Sequence, residues 1–408
     1  MSKPQKRVFV LGCGAQGSVI AKEISKEPNV AETICGDIDI NRAKRLEQKS
    51  DKIRGVQVDG SKVKEILRAS TDADLIVNAM PCSFNAVVME AALEGSMNYQ
   101  DLASELLQGI PFAKTALAEL NKTNKWEAAG LTALVNTGIS PGITNVLVKA
   151  AADELDVCEK VIILLYENIK TKTKKFIPFW WSPEIAFQDM ANEATIFGNG
   201  KYKTVEPFSN EEEYDFPGIG PRKVYAHEHE EAITLPQFIK GLKYVEVKMG
   251  GSAAELAKSF YDFGLLGKEP IKVEGTEIVP LDVVLALAPP APSSPEEIKA
   301  AIGSGIEIDE RSVNVVVEGK KSNKKIKYIY KVNSPGLGES FERLGISHLA
   351  YVTGIPAAAF TKLLIRDKIK RTGLFPPECL DAESRSEFLK EIAKKNITIT
   401  QTIEKPLS

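Results

Sequence analysis

The sequence predicts an α/β fold in which a parallel, doubly wound sheet is combined with an inserted α+β domain. Three observations predict this fold. Strand-like apolar runs alternate with helix-like segments up to about residue 140, strand-like segments separated by turns fill the middle of the chain, and helical segments return from about Leu344. Strands that alternate with helices form a parallel sheet covered by helices. The predicted domains are therefore 1–140, 141–343 and 344–408, with the last segment packing on the first domain.

The chain opens with a strand, a glycine-rich turn and a helix. An apolar run leads directly into the turn, whose residues are Gly12-Cys13-Gly14-Ala15-Gln16-Gly17. The first glycine of such a turn permits tight bending, the second lets the backbone approach a pyrophosphate, and the third lets the helix pack on the strand. We therefore predict a Rossmann dinucleotide-binding domain in which Gly12, Gly14, Ala15, Gln16 and Gly17 contact the cofactor. The alternative is an ordinary tight turn.

A second apolar run ends at Asp37, about twenty residues after the last glycine, where a carboxylate reaches the ribose hydroxyls of an adenosine. A 2′-phosphate at that position would meet a like charge. NAD is therefore predicted as the cofactor, with NADP as the alternative, because Arg42, Lys44 and Arg45 nearby soften the preference.

Two predicted strands end in polar residues. Asn78-Ala-Met-Pro81 closes one, and Tyr99-Gln-Asp101 closes the next. Because the carboxyl ends of strands in an open α/β sheet face the ligand crevice, we expect Asn78 and Pro81 to contact the cofactor. Asp101 is expected to act as a base or to hold a substrate ammonium group, and Tyr99 is a candidate catalytic residue beside it. A plain turn at Asn78 and a helix cap at Asp101 are the alternatives.

The segment 136–145 predicts a helix start at the same crevice. Ser140 is a good N-cap and Pro141 a good first helical residue. Free backbone N–H groups there would suit a carboxylate or the nicotinamide carboxamide. Ser140 is therefore predicted to bind the cofactor, and Gly142 and Asn145 to bind the substrate. The alternative is a helix start without a ligand.

The middle of the chain predicts a second sheet. The strand-like segments are 161–166, 222–226, 243–248, 313–317 and 327–331. The last two are expected to pair across a basic turn at residues 319–325.

Ionisable residues concentrate between Arg222 and Glu231. Alternation along a strand would place His227, His229 and Glu231 on one face. Such a face could bind zinc or supply a general base, but His348 stands alone and no other His/Cys cluster supports a metal, so none is predicted. His227 is predicted to accept a proton, its pKa raised by the nearby carboxylates. Arg222 and Glu231 are predicted to bind the substrate, and a solvated face is the alternative.

Composition excludes several classes of protein. The chain has 408 residues and a net charge of −3, which gives no general attraction to nucleic acid or an anionic membrane. Five scattered cysteines without a C-x-x-C pattern indicate a reducing cytoplasm. No apolar run is expected to span a membrane, and the N-terminus lacks a signal-peptide pattern. We therefore expect a cytoplasmic protein whose partner is a small molecule.

Taken in order, the motifs resemble the saccharopine dehydrogenase family, which includes saccharopine reductases and lysine 6-dehydrogenases. The resemblance covers essentially the whole chain, and it rests on the glycine turn, Asn78-x-x-Pro81, Tyr99-x-Asp101, Gly138-x-x-Pro141-Gly142-x-x-Asn145, Thr234-Leu-Pro236 and Gly354-x-Pro356. It implies a Rossmann domain with a substrate domain inserted before C-terminal helices, and a homodimer. Ser140 stands where many saccharopine reductases have aspartate, and in this respect the chain is more similar to lysine 6-dehydrogenases.

The resemblance implies an NAD(P)-dependent oxidoreductase that acts on the C–N bond of a lysine-type amino acid, either saccharopine or the ε-amine of L-lysine. One alternative is a reductive coupling of the carboxynorspermidine dehydrogenase type, which joins an aldehyde to a polyamine precursor. Another is a non-catalytic NAD-binding sensor.

Overall fold

The computed structural model describes residues 5–107 and 109–406, and the chain divides into two compact units. The first comprises the residues up to Ala150 together with Ile233–Phe238 and Ala350–Thr398. The second comprises Ala151–Ala232, Ile239–Leu349 and the residues from Ile399 onward. The sequence predicts boundaries after residues 140 and 343, with one domain over 141–343. In the structure, Ile233–Phe238 belongs to the first unit and the end of the chain belongs to the second.

The strands in chain order are β1 Lys6–Leu11, β2 Val30–Asp37, β3 Ile53–Gln57, β4 Leu75–Asn78, β5 Asn98–Gln100, β6 Thr132–Leu134, β7 Val157–Thr171, β8 Ala194–Gly198, β9 Lys201–Val205, β10 Glu212–Phe216, β11 Gly220–Ala226, β12 Tyr244–Gly251, β13 Ile271–Val273, β14 Thr276–Ile278, β15 Ile306–Lys321, β16 Lys324–Asn333, β17 Gly373–Phe375 and β18 Thr398–Glu404.

The helices in chain order are α1 Ala15–Ile24, α2 Ile40–Glu47, α3 Val63–Ala69, α4 Asn85–Glu94, α5 Phe112–Leu120, α6 Thr123–Ala128, α7 Ile143–Glu154, α8 Pro183–Met190, α9 Glu231–Phe238, α10 Ser252–Asp262, α11 Pro280–Leu287, α12 Pro295–Gly303, α13 Leu337–Leu344, α14 His348–Ile365 and α15 Ala382–Ala393.

The first unit is built on a parallel sheet with the strand order β17-β6-β5-β4-β1-β2-β3. Every pairing in this sheet is parallel, as the alternation of strands and helices predicted. The strand order reverses beside β1, and the carboxyl ends of β1, β2 and β4 meet at one edge. This is the edge at which open α/β sheets bind their ligands.

Helix α14 supplies part of the first unit's core, and Gly354 explains how closely it packs there. A Cβ atom at Gly354 would lie 2.7 Å from the Cβ of Val19 on α1, so only glycine fits this approach. Contrary to the sequence expectation, α14 is long and apolar enough, by length and composition, to cross a membrane. Of its 18-residue window, 89% is buried inside the protein, as is common for core helices.

The second unit contains a mixed sheet with the order β10-β11-β12-β7-β15-β16-β18, to which β8 and β9 are attached at β12. The predicted pairing of the last two strand-like segments is correct, since Val313 faces Val332 and Val317 faces Tyr328 in antiparallel register. The turn is tighter than predicted. Only Ser322 and Asn323 form its tip, with φ values of 50° and 60°, and lysines on either side belong to the strands.

Candidate functional site

The glycine turn between β1 and α1 has the geometry of a nucleotide-binding loop. Gly12 has a φ of +94°, and a Cβ there would lie 2.8 Å from the carbonyl oxygen of Ala79. A Cβ at Gly17 would lie 1.8 Å from the carbonyl oxygen of Gly12. At Gly14, in contrast, a Cβ would meet nothing within 4 Å. Two of the glycines are therefore required by packing, while the third leaves the backbone open on one side.

This open position lies at the N-terminus of α1, where Gly14 is the residue before the helix and Ala15 its first member. Both residues are exposed and Gln16 is half-buried. Backbone N–H groups of a first helical turn and the helix dipole together attract a negatively charged group. The residues present therefore fit a dinucleotide, whose pyrophosphate would be held by Gly14, Ala15, Gln16 and Gly17.

Asp37 connects the end of β2 to the glycine turn. Its Oδ2 accepts a hydrogen bond from the backbone N–H of Cys13 at 2.8 Å, and its Oδ1 accepts one from Asp39 at 2.9 Å. Each carboxylate oxygen can accept a second hydrogen bond, so the ribose assignment is compatible with this geometry. Ile38, which directly follows the acid in the sequence, is 69% exposed beside it.

Asn78 lies in a buried network at the carboxyl edge of the sheet. It is 1% exposed, and its Nδ2 donates to Oδ1 of Asn85 at 2.9 Å and to the hydroxyl of Tyr99 at 3.2 Å. Pro81 is exposed at the same edge. The contacts of Asn78 and Pro81 with a cofactor stay predictions, since the amide of Asn78 is already bonded to side chains of the network.

Asp101 and Tyr99 belong to the same network. Asp101 is 1% exposed; its Oδ1 accepts the backbone N–H of Asn136 at 2.7 Å, and its Oδ2 lies 3.4 Å from Nδ2 of Asn85. Burial, and then the negative charges of Asp101 and Glu119, raise the pKa of Tyr99 well above its usual value. The structure thus places both side chains inside the protein, where they hold the strand ends together. Catalytic roles for them stay predictions.

Glu119 on α5 is a further member of the network that sequence reasoning missed. It is 1% exposed, and its Oε2 accepts the backbone N–H of Glu105 at 3.1 Å. Burial raises its pKa to about 7. The only signal in the sequence is its spacing of seven residues from Phe112, which places it on the buried face of the helix.

The helix start predicted at Ser140 and Pro141 is wrong in its position, because α7 begins at Ile143. Gly142 has a φ of +132°, which lies outside the helical range, so the helix begins after it. Its N–H is also taken, since it donates to Oδ1 of Asn145 at 2.8 Å, and the N–H of Ile143 donates to the carbonyl oxygen of Gly138. The expected free N–H groups are therefore absent at these two residues.

Asn145 is fully buried and bridges two parts of the first unit. Its Nδ2 donates to Oε2 of Glu378 at 2.9 Å. Substrate contacts of Gly142 and Asn145, and a cofactor contact of Ser140, stay predictions.

In the second unit, the predicted strand through residues 227–231 is wrong. Strand β11 ends at Ala226 and α9 begins at Glu231, so residues 227–230 connect the two and strand alternation does not apply. Thr234 lies inside α9. The connection still brings charges together. His229 Nδ1 lies 2.5 Å from Oε2 of Glu231 and 3.2 Å from Oε2 of Glu230.

The two histidines of this connection titrate in opposite directions. Burial lowers the pKa of His227, which is 8% exposed, to about 3. The predicted rise in its pKa is therefore wrong, because burial outweighs the single carboxylate that acts on it. Burial also disfavours the charged form of His229, but Glu231, Glu230 and Asp189 outweigh it and raise that pKa to about 9. His229 is thus the imidazole that carries a proton at neutral pH.

Arg222, which is predicted to bind the substrate, already forms a hydrogen bond and an ion pair within this unit. Arg222 donates from Nε to the hydroxyl of Tyr166 at 3.0 Å and pairs with Glu310 at 3.2 Å, so a substrate carboxylate would have to compete with Glu310. Substrate binding by Arg222 and Glu231 stays a prediction. The Nε2 atom of His348 lies 2.7 Å from Oε2 of Glu167.

Three potential metal ligands lie close together in this connection. The ligand atoms of His229, Glu230 and Glu231 all lie within 4.8 Å of one another in the described part of the chain. Such a spacing is compatible with a metal ion, so the geometry does not bear on the expectation that none is bound.

Comparison with known proteins assigns the chain to a family. The family model for the saccharopine dehydrogenase NADP binding domain matches residues 8–144, and the model for the saccharopine dehydrogenase C-terminal domain matches residues 138–397. Together they cover both units. The cofactor of the glycine turn is therefore NAD(P).

Individual relatives span nearly the whole chain. A carboxynorspermidine synthase of Vibrio cholerae is 26% identical over 94% of this chain and 95% of its own length. A carboxyaminopropylagmatine dehydrogenase of Synechocystis is 24% identical over 98% of both chains. The solved structure of the L-Glu-forming saccharopine dehydrogenase of Saccharomyces cerevisiae shares the fold, with a TM-score of 0.68 and 16% identity over 98% of this chain and 100% of that one. The chain belongs to the saccharopine dehydrogenase family and is an NAD(P)-dependent oxidoreductase.

Proposed function

We propose that this enzyme couples an aldehyde that carries an amino-acid head group to a primary amine of a diamine, with NAD(P)H as the reductant. One observation carries the proposal: an open nucleotide loop at Gly14 in a chain that is collinear with a carboxynorspermidine synthase over 94% of its length. The loop supports hydride transfer, and the similarity supports an amine as the second substrate.

The proposed reaction forms one C–N bond. The neutral amine attacks the aldehyde carbon and water leaves, which gives a C=N bond. Hydride adds to the carbon of that bond and a proton adds to its nitrogen, so that the product is a secondary amine. A nicotinamide nucleotide bound at the loop supplies the hydride.

The chain's own residues would bind the cofactor and hold a proton. The residues from Gly12 to Gly17 would hold the pyrophosphate, and Asp37 would accept hydrogen bonds from the ribose. His229 keeps a proton beside Glu231 with a pKa of about 9. This pKa is close to that of an alkylamine, which suits His229 to exchange a proton with an amine.

A lysine-type substrate, saccharopine or the ε-amine of L-lysine, is the second candidate. It is favoured by the two saccharopine dehydrogenase family models. We rank it second because the chain is more similar in sequence to the two polyamine-related enzymes, whereas its 16% identity to the saccharopine dehydrogenase of yeast supports the fold alone.

The experiment compares two assays on the purified protein. In the first, NAD(P)H consumption is followed with L-aspartate semialdehyde and each of diaminopropane, putrescine and agmatine. In the second, NAD(P)H formation is followed with L-lysine or saccharopine. We expect turnover in the first assay only, and none by Gly14→Val in either. Turnover in the second assay alone would establish the lysine-type reaction. Tight nucleotide binding without turnover in both would favour a sensor.

A further inference from the structure

The buried network at the carboxyl edge of the parallel sheet contains a carboxyl group without an ion pair. We call it the Glu119 network, and it consists of Asn78, Asn85, Tyr99, Asp101 and Glu119. Glu119 is 1% exposed, and its Oε2 accepts the backbone N–H of Glu105 at 3.1 Å and lies 3.4 Å from Nδ2 of Asn85. Its Oε1 is buried and has no hydrogen-bond partner among the described residues. A negative charge on Glu119 would therefore leave one buried oxygen without a donor, which costs free energy.

This environment keeps a proton on Glu119 up to neutral pH. Burial disfavours the charged form, and the charge of Glu105 adds to this effect. The hydrogen bonds to Oε2 and the charge of Lys122, between α5 and α6, act in the opposite direction. On the β5 side the network contains Asp101 and Tyr99, and burial keeps Tyr99 neutral because it raises that pKa well above its usual value. Burial prevails at Glu119 and raises its pKa to about 7.

The sheet topology places this network on the nicotinamide side of the nucleotide site. Strands β2 and β3 lie on one side of β1, and β4 and β5 lie on the other. With the adenosine ribose at Asp37 on β2, the nicotinamide half of a dinucleotide extends across β1 towards β4 and β5. Asn78 ends β4, Asp101 follows β5 directly, and Asn85 joins both of them to Glu119.

The two redox forms of the cofactor differ by one positive charge on the nicotinamide ring. The ring is a cation in NAD(P)⁺ and neutral in NAD(P)H, whereas the charges of the pyrophosphate are the same in both. One or two strand spacings correspond to roughly 5–10 Å between the ring and the carboxyl group. At about 8 Å and an effective dielectric constant of about 20, a positive charge lowers the pKa of a carboxyl group by about 1–2 units.

We propose that Glu119 selects the redox state of the bound nucleotide, because it releases a proton when NAD(P)⁺ binds and keeps that proton when NAD(P)H binds. In this step the O–H bond of the carboxyl group breaks, the carboxylate keeps the electron pair and the proton passes to the solvent, without any redox change. The carboxylate then attracts the cationic ring. The affinity for NAD(P)⁺ therefore rises with pH, whichever amine the enzyme uses.

The test counts the protons that are released on nucleotide binding. NAD⁺, NADH and ADP-ribose, or their 2′-phosphorylated forms if these bind more tightly, are titrated at pH 7 by calorimetry in buffers with different ionisation enthalpies, without amine or aldehyde. We expect NAD⁺ to release about half a proton more than NADH or ADP-ribose, since roughly half of Glu119 is protonated at this pH. Glu119→Gln should abolish the difference. Glu90→Gln is the matched control, because Glu90 is exposed on α4 of the same unit, and it should preserve the difference.

A measurement on the unmodified protein covers the case in which Glu119→Gln fails to fold. Between pH 6 and pH 8 the affinity for NAD⁺ should increase by a factor of about five to ten relative to that for NADH, as expected when binding lowers a pKa of about 7 by about 1–2 units. A ratio of the two affinities that stays constant over this range would overturn the proposal.

Equal proton release with NAD⁺ and NADH, a difference that survives in Glu119→Gln, or its loss in Glu90→Gln would also overturn the proposal. Because no amine or aldehyde is present, failure of the coupling assay with an intact proton difference would reject the proposed reaction and keep this role of Glu119. Coupling activity together with equal proton release would do the reverse.

Discussion

The nucleotide loop allows one substitution to separate binding from folding. Gly14→Val introduces a side chain where a Cβ would meet no atom of the protein within 4 Å. The φ of Gly14 is −72°, which valine also adopts. The folded protein should therefore accept the substitution, whereas a pyrophosphate approaching the backbone at this position should not.

The two expected magnitudes differ enough to be measured. Replacing a glycine N-cap costs about 0.5–1 kcal/mol, and the lower backbone entropy of the unfolded variant offsets about 0.4–1 kcal/mol of this. The stability should therefore change by no more than about 1 kcal/mol. Loss of the pyrophosphate contact should weaken nucleotide binding by a factor of about a hundred or more, which is roughly 2.7 kcal/mol.

Calorimetric titration with NAD⁺ and NADP⁺ and a thermal melt of the nucleotide-free protein measure the two effects. Gly17→Ala is the contrasting control, because its Cβ would lie 1.8 Å from the carbonyl oxygen of Gly12. Overpacking of this kind costs about 1–3 kcal/mol, so Gly17→Ala should lower the melting temperature. Parent-like nucleotide affinity in Gly14→Val would show that the glycine turn is only structural.

Three further predictions concern charge. Because the carboxylate of Asp37 repels a 2′-phosphate by roughly 1–3 kcal/mol, the enzyme should have a kcat/KM for NAD about ten to a hundred times that for NADP. A clear NADP preference of the parent would contradict the assignment of Asp37. Burial raises the pKa of Glu119 from its usual value of 4.5 to about 7. The unfolded chain therefore loses this proton at a lower pH than the folded protein does, and the free energy of unfolding falls as the pH rises from 4.5 to about 7. Glu119→Gln should therefore increase the free energy of unfolding by up to about 3 kcal/mol at about pH 8 and leave it unchanged at about pH 4. The melting temperature should rise at the higher pH only. Equal shifts of the melting temperature at both pH values would refute this. The pKa of His227 is lowered to about 3 in the folded protein. As the pH falls, the unfolded chain binds a proton at this histidine before the folded protein does, so the free energy of unfolding decreases between about pH 6.5 and about pH 3. His227→Gln should reduce the difference in melting temperature between about pH 7.5 and about pH 5.5. The same difference in the parent and the variant would exclude the low pKa.

The parts of the fold that follow from local sequence were predicted well. The glycine turn, the parallel strands around it and the pairing of β15 with β16 depend on residues close together in the chain, where turn chemistry and apolar patterns act directly. The roles of Gly12 and Gly17 followed from the same local rules, and the structure agrees with both.

The parts that depend on distant neighbours were not predicted. The partner of Asn145 is Glu378, 233 residues later, so nothing near Asn145 showed that its amide is used for packing. His227 and His229 are two residues apart, and local charge predicted a raised pKa for His227. Their pKa values differ because burial dominates at His227, whereas Asp189, brought in by α8, adds to two glutamates at His229.

In the proposed reaction, hydride from NAD(P)H reaches the carbon of a newly formed C–N bond. The most direct test supplies the protein with NAD(P)H deuterated at the transferred position, L-aspartate semialdehyde and diaminopropane, and analyses the products by mass spectrometry. We expect a secondary amine that carries one deuterium on the carbon of the former aldehyde. A deuterated alcohol from the aldehyde, or no incorporation while lysine or saccharopine is oxidised, would contradict it.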